Sequence, residues 1–448
     1  MERKVDVVVV GGGPAGTISA STARIYYPEK KIVLITESER GLIPCAIPYM
    51  LSSLREPSQN FTSYEPLKSK GIETVFDRVV EIDRKSKVVL TEKGDKYSYE
   101  KLILALGSKP IIPPIPGIEK KGVWPIKKDC QYLEQMVSDV RKSKSVLVVG
   151  GGFIGVEIAD ELSKIQGMKV SLVELLPRLL ANSFDPEFSE MAQGKLQSSG
   201  VRLILNTKVE EFLGNGHVEK VRLSSGETVE ADCVILGIGA APNTELALKA
   251  GLDLGKGKGI WVDEYMRTTD PDVFAVGDCA GKRDFFTRKD APVMLASIAT
   301  AEARIAGANL YKLKVLREVK GTIGIYSTYV GGLVLGSAGI TETTATREGF
   351  EVRVGTAQVV DRHPATMPGA SKNLVKLVFS RESEALLGGQ VAGGISCGEL
   401  INTIGIAIQK RISLTELETL QMATQPCLTA PPTMYPLVLA AQAAAQKE

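Results

Sequence analysis

The stretch GLIPCAIPYML at 41–51 holds one cysteine, Cys45, between two prolines, Pro44 and Pro48. A second cysteine a few residues away would make a redox disulfide. Cys45 has none, so the chemistry open here is that of a single, rigidly held thiol. The other five cysteines (Cys130, Cys233, Cys279, Cys397 and Cys427) are scattered without CxxC or metal-like spacing. Structural disulfides are rare in a reducing compartment. The two histidines, His217 and His363, lie far apart in sequence. That excludes a histidine-rich metal site and argues against a histidine triad, so no metal is expected.

Glycines supply the second kind of chemistry. The run KVDVVVV reads as a strand buried on both faces, followed by GGGPAG at 11–16, an apolar-periodic helix, and the strand KIVLITE ending at Glu37. In such a βαβ unit Gly11 makes the tight turn, Gly13 lets backbone approach a pyrophosphate, and Gly16 packs helix on strand. The helix N terminus offers N–H groups to phosphate, and Glu37 accepts from ribose hydroxyls. The unit then repeats as SVLVVGGGFIGVEIADELSKIQGMKVSLVE, with Gly150, Gly152, Gly155 and Glu174. Two dinucleotide sites in one chain imply electron transfer between two dinucleotides. A carboxylate at Glu174 pairs with the 2′-hydroxyl of NAD and repels the 2′-phosphate of NADP. Arg178, four residues on, can soften that preference; NADH is the favoured donor.

The bulk numbers fit. A chain of 448 residues exceeds the roughly 250–300 that one core organises, so two or three domains are expected. With 44% apolar and 24% charged residues it reads as a soluble globular protein. Its 54 basic and 52 acidic side chains leave a formal charge of +2, without the basic footprint of a nucleic-acid binder. VDVVVV is too short for a signal or membrane segment, and no run of about eighteen apolar residues follows. A cytoplasmic protein that engages no membrane is expected.

These residues resemble the flavoprotein pyridine nucleotide–disulfide oxidoreductases over essentially the whole length. YEKLILALGSKP (99–110) is similar to the family's return from the FAD domain, and DCVILGIGAAPNTEL (232–246) to its crossing back. TTDPDVFAVGDCA (268–280) is similar to the second FAD fingerprint, and the chain from about Gly321 to the interface domain. The resemblance implies an α/β fold of two Rossmann-like domains plus a C-terminal α+β domain that makes a homodimer. FAD would occupy 1–115 with 246–320, NAD(H) 116–245, and the dimer interface 321–448. Implied FAD contacts are Gly11, Gly13, Pro14, Ala15, Gly16, Glu37, Ala105, Gly107 and Asp278, the last on the ribityl chain. Val79, in DRVVEID, resembles the residue against the adenine, with a plain core valine as the alternative. The second nucleotide would meet Gly150, Gly152, Phe153, Ile154, Gly155, Glu174 and Gly239. The family places Phe153 as an aromatic lid and Glu157 near the nicotinamide; helix–strand packing is the alternative for Phe153.

The larger branch of this family carries a CxxxxC disulfide. Here Tyr49 and Met50 stand four and five residues after Cys45, so the chain resembles the single-cysteine branch of NADH oxidases, NADH peroxidases and coenzyme A–disulfide reductases. The match is partial: Gly41-Leu42-Ile43-Pro44 replaces a serine–phenylalanine pair, and Ala46 follows the cysteine, while Ile47-Pro48-Tyr49 is similar to the reductase form. One thiol beside a flavin can cycle through a sulfenic acid or hold a small thiol as a mixed disulfide. Either needs a stabilised thiolate, which a helix N terminus at Cys45 would favour. The alternative is an inert Cys45 beside a flavin that reduces oxygen alone. Pro14 stands where the peroxidases carry histidine. The tail ATQPCLTAPPTMYPLVLAAQ lacks histidine, and Gln425 is no base. Tyr435 is the tail candidate for a catalytic tyrosine, with a packed aromatic as the alternative. Arg24 resembles a coenzyme A phosphate contact. Cys427 is a candidate to pair with Cys45 across the dimer. The expected activity is that of an NADH oxidase. Reduction of coenzyme A disulfide, persulfide or polysulfide through Cys45, with coenzyme A bound, is the alternative; electron delivery to a rubredoxin-like protein comes third. A redox-signalling role without catalysis is disfavoured.

Overall fold

Val7–Val10 are four consecutive buried valines, a pattern only a strand covered on both faces accommodates. In the computed structural model, which describes residues 2–317 and 320–447, they form the middle of a five-stranded sheet. Its order is Val273–Ala275, Lys101–Leu104, Val7–Val10, Ile32–Thr36 and Glu73–Phe76, and every pairing is parallel. Each fully buried valine contributes roughly 1.5–3 kcal/mol relative to exposure. Helix Pro14–Tyr26 follows the first strand and packs on helix Ala296–Ala308. The approach is close because the facing residues are small. A Cβ at Gly307 would meet the Ser19 carbonyl and the Thr22 side chain. A four-stranded sheet (Glu2–Lys4, Lys96–Ser98, Val88–Thr91, Val79–Asp83) completes this half.

The chain divides into two units. The first comprises Met1–Ile112, Ile126–Ser138 and Gly239–Thr322; the second comprises Pro113–Pro125, Asp139–Ile238 and Ile323–Glu448. The second unit repeats the first sheet: Val123–Pro125, Cys233–Leu236, Ser145–Val149, Lys169–Val173 and Arg202–Ile204 run parallel in that order. In both sheets the chain leaves the central strand in one direction and later returns on its other side. That is the switch point at whose carboxyl edge nucleotides bind. A three-stranded antiparallel sheet of Val209–Leu213, Lys220–Leu223 and Thr228–Glu230 lies beyond.

The C-terminal part is an antiparallel sheet ordered Ile325–Val330, Leu333–Gly339, Leu386–Gly393, Lys372–Ser380, Val352–Val360. Helix Cys397–Gln409 packs over its second and third strands, and helix Pro436–Ala445 over its last two. Gly355 lets the latter approach, since a Cβ there would strike the Ala440 carbonyl. Two dinucleotide-type α/β sheets and a C-terminal α+β layer are thus the architecture expected from the sequence. Among the described residues no helix is long and apolar enough to cross a membrane.

Candidate functional site: two glycine loops and an exposed thiol

In the first loop Gly11 continues the sheet by donating its N–H to Ile35 O at 2.8 Å. It then turns with φ +109°, where a Cβ would collide with the Ala105 carbonyl. A Cβ on Gly16 would collide with the Gly11 carbonyl, which fixes how closely helix and loop pack. At Gly13 the opposite holds: a Cβ would meet nothing within 4 Å. Gly13 is the N-cap of helix Pro14–Tyr26 without a side-chain cap, and the first turn carries no acid. The space beside Gly13 is thus open and the helix start carries no competing acid, which suits an approaching anion.

Glu37 lies beyond that loop, exposed, at the edge of a cavity of about 330 Å³ lined by Glu37–Arg40 and Asp129–Gln131. The second wall comes from segment 126–138. Arg40 donates to both Glu134 oxygens at 2.9 and 3.2 Å, and Cys130 Sγ lies 3.7 and 3.8 Å from the carbonyls of Arg40 and Gly41. The same segment supplies Lys128, whose Nζ donates to Asp278 Oδ2 and Ser108 Oγ, both at 2.9 Å. Ser108 Oγ also donates to Asp278 Oδ2, at 2.7 Å. Burial works to raise the Asp278 carboxyl, but Lys128 and Ser108 outweigh it and hold the group below the usual carboxylate range. The turn carrying Asp278 is itself clamped. Gly277 N donates to Glu302 at 2.8 Å and Gly277 O accepts from Lys282 at 2.6 Å, these two being a buried ion pair. A Cβ on Gly277 would press on Ala15, so the first loop and the Asp278 turn touch. An uncapped helix end, a carboxylate at a cavity and an anionic Asp278 fit a flavin adenine dinucleotide. Gly107 turns with φ +67° and accepts from Asn243 N at 3.0 Å. Val79 is 8% exposed in a core cluster with Val10, Val33 and Ile35.

The second loop repeats this geometry. Gly150 N donates to Val173 O at 2.8 Å, its φ is +105°, and a Cβ on Gly155 would collide with the Gly150 carbonyl. Gly152, open on its outer side, begins helix Phe153–Ser163 without a side-chain cap. The Glu174 carboxylate is pinned by the Gly151 N–H and by Leu176 N at 2.7 Å. Arg178 is half-buried, and its Nε has no hydrogen-bond partner among the described residues. Gly237 abuts Gly150 and Gly155, a role the sequence did not single out. Gly239 lies two residues on, in the first unit, where its carbonyl accepts from Ile111 N at 3.1 Å.

Ile154 is half-buried in the first turn of that helix. Phe153 begins the helix between Tyr326, stacked at 5.0 Å, and Phe184 at 6.0 Å. Glu157, one turn on, is 9% exposed and accepts from Thr328 Oγ1 at 2.8 Å. Burial pushes its carboxyl up to about 7; the Thr328 hydrogen bond pulls it back in part, while Asp160 and Glu161 push it further up.

Cys45 is exposed, in the middle of the single 3₁₀ turn Pro44–Ala46, with a second such turn at Pro48–Met50. The loop is tied at its base by antiparallel pairing of Gly41–Leu42 with Phe61–Thr62. Four of the remaining cysteines are buried. Burial pushes the Cys233 and Cys397 thiols to about 12 and Cys279 to about 11, which keeps them from forming thiolates near neutral pH. Cys427 is exposed, with its N–H donated to Gln425 Oε1 at 2.7 Å. Tyr435 is half-buried at the start of helix Pro436–Ala445, its phenol pushed up by burial. Arg24 donates to the carbonyls of Pro28, Lys30 and Gly71, closing the end of its helix.

The sequence matches the model of the pyridine nucleotide-disulphide oxidoreductases over residues 5–303 and that of their dimerisation domain over 325–435. An NADH oxidase of Methanocaldococcus jannaschii is 31% identical, the alignment covering 98% of each chain. A CoA-dependent NAD(P)H sulfur oxidoreductase of Pyrococcus abyssi is 32% identical, with 87% of each chain covered. A water-forming NADH oxidase from Lactobacillus brevis, solved with NADH bound, superposes with a TM-score of 0.89 at 29% identity, with 98% of each chain covered. With its doubled glycine loops, its Asp278 turn and both family models matched in chain order, this protein belongs to the pyridine nucleotide-disulphide oxidoreductases, the family of FAD- and NAD(P)H-dependent enzymes.

Proposed function

We propose that the chain is an FAD-dependent NADH oxidase in which Cys45 is a redox-active thiol. The observation that carries this reading is one loop geometry built twice, at Gly11–Gly16 and Gly150–Gly155, each with an open, uncapped helix N terminus. We place FAD on 1–115 with 246–320, NADH on 116–245 and the homodimer contact on 321–448. Gly13, Pro14 and Ala15 would face the flavin nucleotide's pyrophosphate, Glu37 its ribose, Asp278 its ribityl chain. When bound, FAD supplies two-electron acceptance from NADH and return of the pair to an acceptor. The chain's own share is to orient both nucleotides. Glu174, held by two backbone N–H groups, presents its carboxylate to a ribose diol and repels a 2′-phosphate, which favours NADH over NADPH.

A second reading is favoured by Cys45 itself. An exposed thiol on a short turn is open to a small disulfide or persulfide, and the Pyrococcus abyssi relative is named a CoA-dependent sulfur oxidoreductase. On that reading Cys45 holds the small thiol as a mixed disulfide, and a cytoplasmic, reducing setting maintains the cycle.

An anaerobic titration of the purified flavoprotein with NADH tests both. Wild-type protein takes up more than one equivalent before the flavin is fully bleached, with a long-wavelength band from the thiolate–flavin pair. Cys45→Ser takes up one equivalent and shows no such band. NADPH reduces the flavin at least tenfold more slowly. Oxygen, coenzyme A disulfide and polysulfide, added in turn, identify the acceptor. Bleaching of wild-type protein by one equivalent removes Cys45 from the cycle, and protein that takes up no flavin overturns the whole reading.

A further inference from the structure

Strand Ile325–Val330 opens the C-terminal sheet, yet it lies along helix Phe153–Ser163, which also packs on the central strand of the second nucleotide sheet. Three contacts line up. Tyr326 stacks on Phe153 with ring centres 5.0 Å apart and planes at 16°. Thr328 Oγ1 donates to Glu157 Oε1 at 2.8 Å. Gly331 N, just past the strand, donates to Asp160 Oδ1 at 2.7 Å. On the helix these partners stand at i, i+4 and i+7, one face rising about 1.5 Å per residue. On the strand, Tyr326 and Thr328 point to the same side, about 6.7 Å apart. The two spacings match closely enough for the strand to fix the helix face from its first residue inward.

That first turn is the end left open for a ligand: Gly152 caps it without a side chain. Phe153 is braced on its other side by Phe184 at 6.0 Å, which packs on Phe188. The charged groups near Glu157 are Asp160 and Glu161 on its own helix, both reached by Lys164 at 2.9 and 2.5 Å. Strand Ile325–Val330 and the neighbouring strand Ser145–Val149 bring no charge, and Lys169–Val173 brings only its exposed first lysine.

We infer that Thr328 and Tyr326 are positioning residues for the pyridine-nucleotide end of this helix, Thr328 by holding Glu157 through Oε1 and Tyr326 by holding the Phe153 ring. This rests on the reading of Gly150–Gly155 as the NADH loop and of Glu157 as the acid near the nicotinamide. Thr328 donates to the ionised carboxylate, so it favours the charged form. An ionised Glu157 favours the cationic ring of NAD⁺ over the neutral ring of NADH, so NAD⁺ affinity rises with pH through the titration of Glu157.

Isothermal titration of the holoenzyme with NAD⁺ from pH 5.5 to 9 tests this. Wild-type protein shows tighter binding as pH rises through about 7. Thr328→Val, near-isosteric but without the donor, moves that midpoint upward by about one pH unit, and Thr328→Ser restores it. Glu157→Gln flattens the profile, and adding Thr328→Val to it changes nothing further. For NADH, Tyr326→Ala weakens binding about three- to tenfold while Tyr326→Phe, which keeps the stack, does not. A Thr328→Val midpoint equal to that of wild type, or a pH dependence that survives Glu157→Gln, overturns the inference and leaves the NADH reading intact. Wild-type protein that binds neither NAD⁺ nor NADH overturns the reading and the inference together.

Discussion

Glu157 shares its helix with Asp160 and Glu161, all three buried, and Lys164 pairs with the latter two. Its carboxyl titrates near 7, mainly because burial disfavours the charge, against about 4.3 in an unfolded chain. Between those values the folded protein holds a proton that the unfolded chain has lost. Stability therefore falls as pH rises through that window, and the loss is complete above the folded value. Glu157→Gln removes the charge, so it should stabilise the protein by on the order of 1–3 kcal/mol at pH 8 and by little at pH 5. Urea denaturation at the two pH values measures this; a gain of equal size at both would show that charge is not the cause. A buried acid kept at such a cost is the kind of strain found where a ligand is handled. Phe153 and Glu157 were legible through the family resemblance of GGGFIGVE, which implies an aromatic and an acid at those places. Thr328 was not visible: it meets Glu157 across 171 residues of chain, and a threonine in a strand carries no local sign of its partner.

The two glycine loops are one element used twice, and they separate by substitution. Gly11→Ala would force a φ of +109° on alanine and drive its Cβ into the Ala105 carbonyl; Gly150→Ala meets the same strain against Gly237. Such strain costs about 1–3 kcal/mol, a factor of roughly 5–150 in binding. Gly11→Ala should weaken flavin retention and yield pale protein. Gly150→Ala should stay yellow and lose affinity for NADH, read by binding titration. Equal loss of both ligands in both variants would refute two separate sites. Both βαβ units were legible because buried parallel strands, a glycine turn and a helix period reinforce one another locally. The wall at 126–138 was not. Arg40 and Glu134 stand 94 residues apart, and nothing in KKDCQYLEQM announces that Lys128 reaches Asp278. Val79 is buried with Val10, Val33 and Ile35, a place that suits a core valine and a contact beside the first loop alike. Gly237, against the second loop, went unnoticed beside Gly239 because one GIG triplet holds both and spacing alone does not separate them.

At the scale of the molecule, each unit has its own core, and in the second unit a polar knot joins the start of helix Pro186–Ser198 to the C-terminal sheet. Asp185 and Gln390 are each 1% exposed. They bond reciprocally, Asp185 N to Gln390 Oε1 at 2.8 Å and Gln390 Nε2 to Asp185 Oδ2 at 2.6 Å. The Asp185 carboxylate also accepts from Glu342 N at 3.1 Å and from Thr343 N at 3.0 Å. Lys376 reaches Asp185, Glu187 and Glu342 at 3.0, 2.7 and 2.6 Å. Burial works to lower the lysine and raise Asp185. Hydrogen bonds and ion pairs reverse both: Lys376 is raised, and Asp185 sits below the ordinary carboxylate range. Its depressed value makes Asp185 stabilising above the unfolded carboxylate range, a contribution lost as pH falls through the folded value. Lys376→Met keeps the volume and leaves the buried carboxylate uncompensated, at a cost of about 3–5 kcal/mol. Calorimetry of the flavoprotein should resolve two transitions, one per unit, of which added FAD raises the first by mass action. Lys376→Met should lower the second by roughly 10 °C and leave the FAD-sensitive one in place. If both transitions fall together, the knot serves the whole molecule; if neither moves, the hydrogen bonds from Gln390, Glu342 N and Thr343 N suffice to hold the Asp185 charge without Lys376.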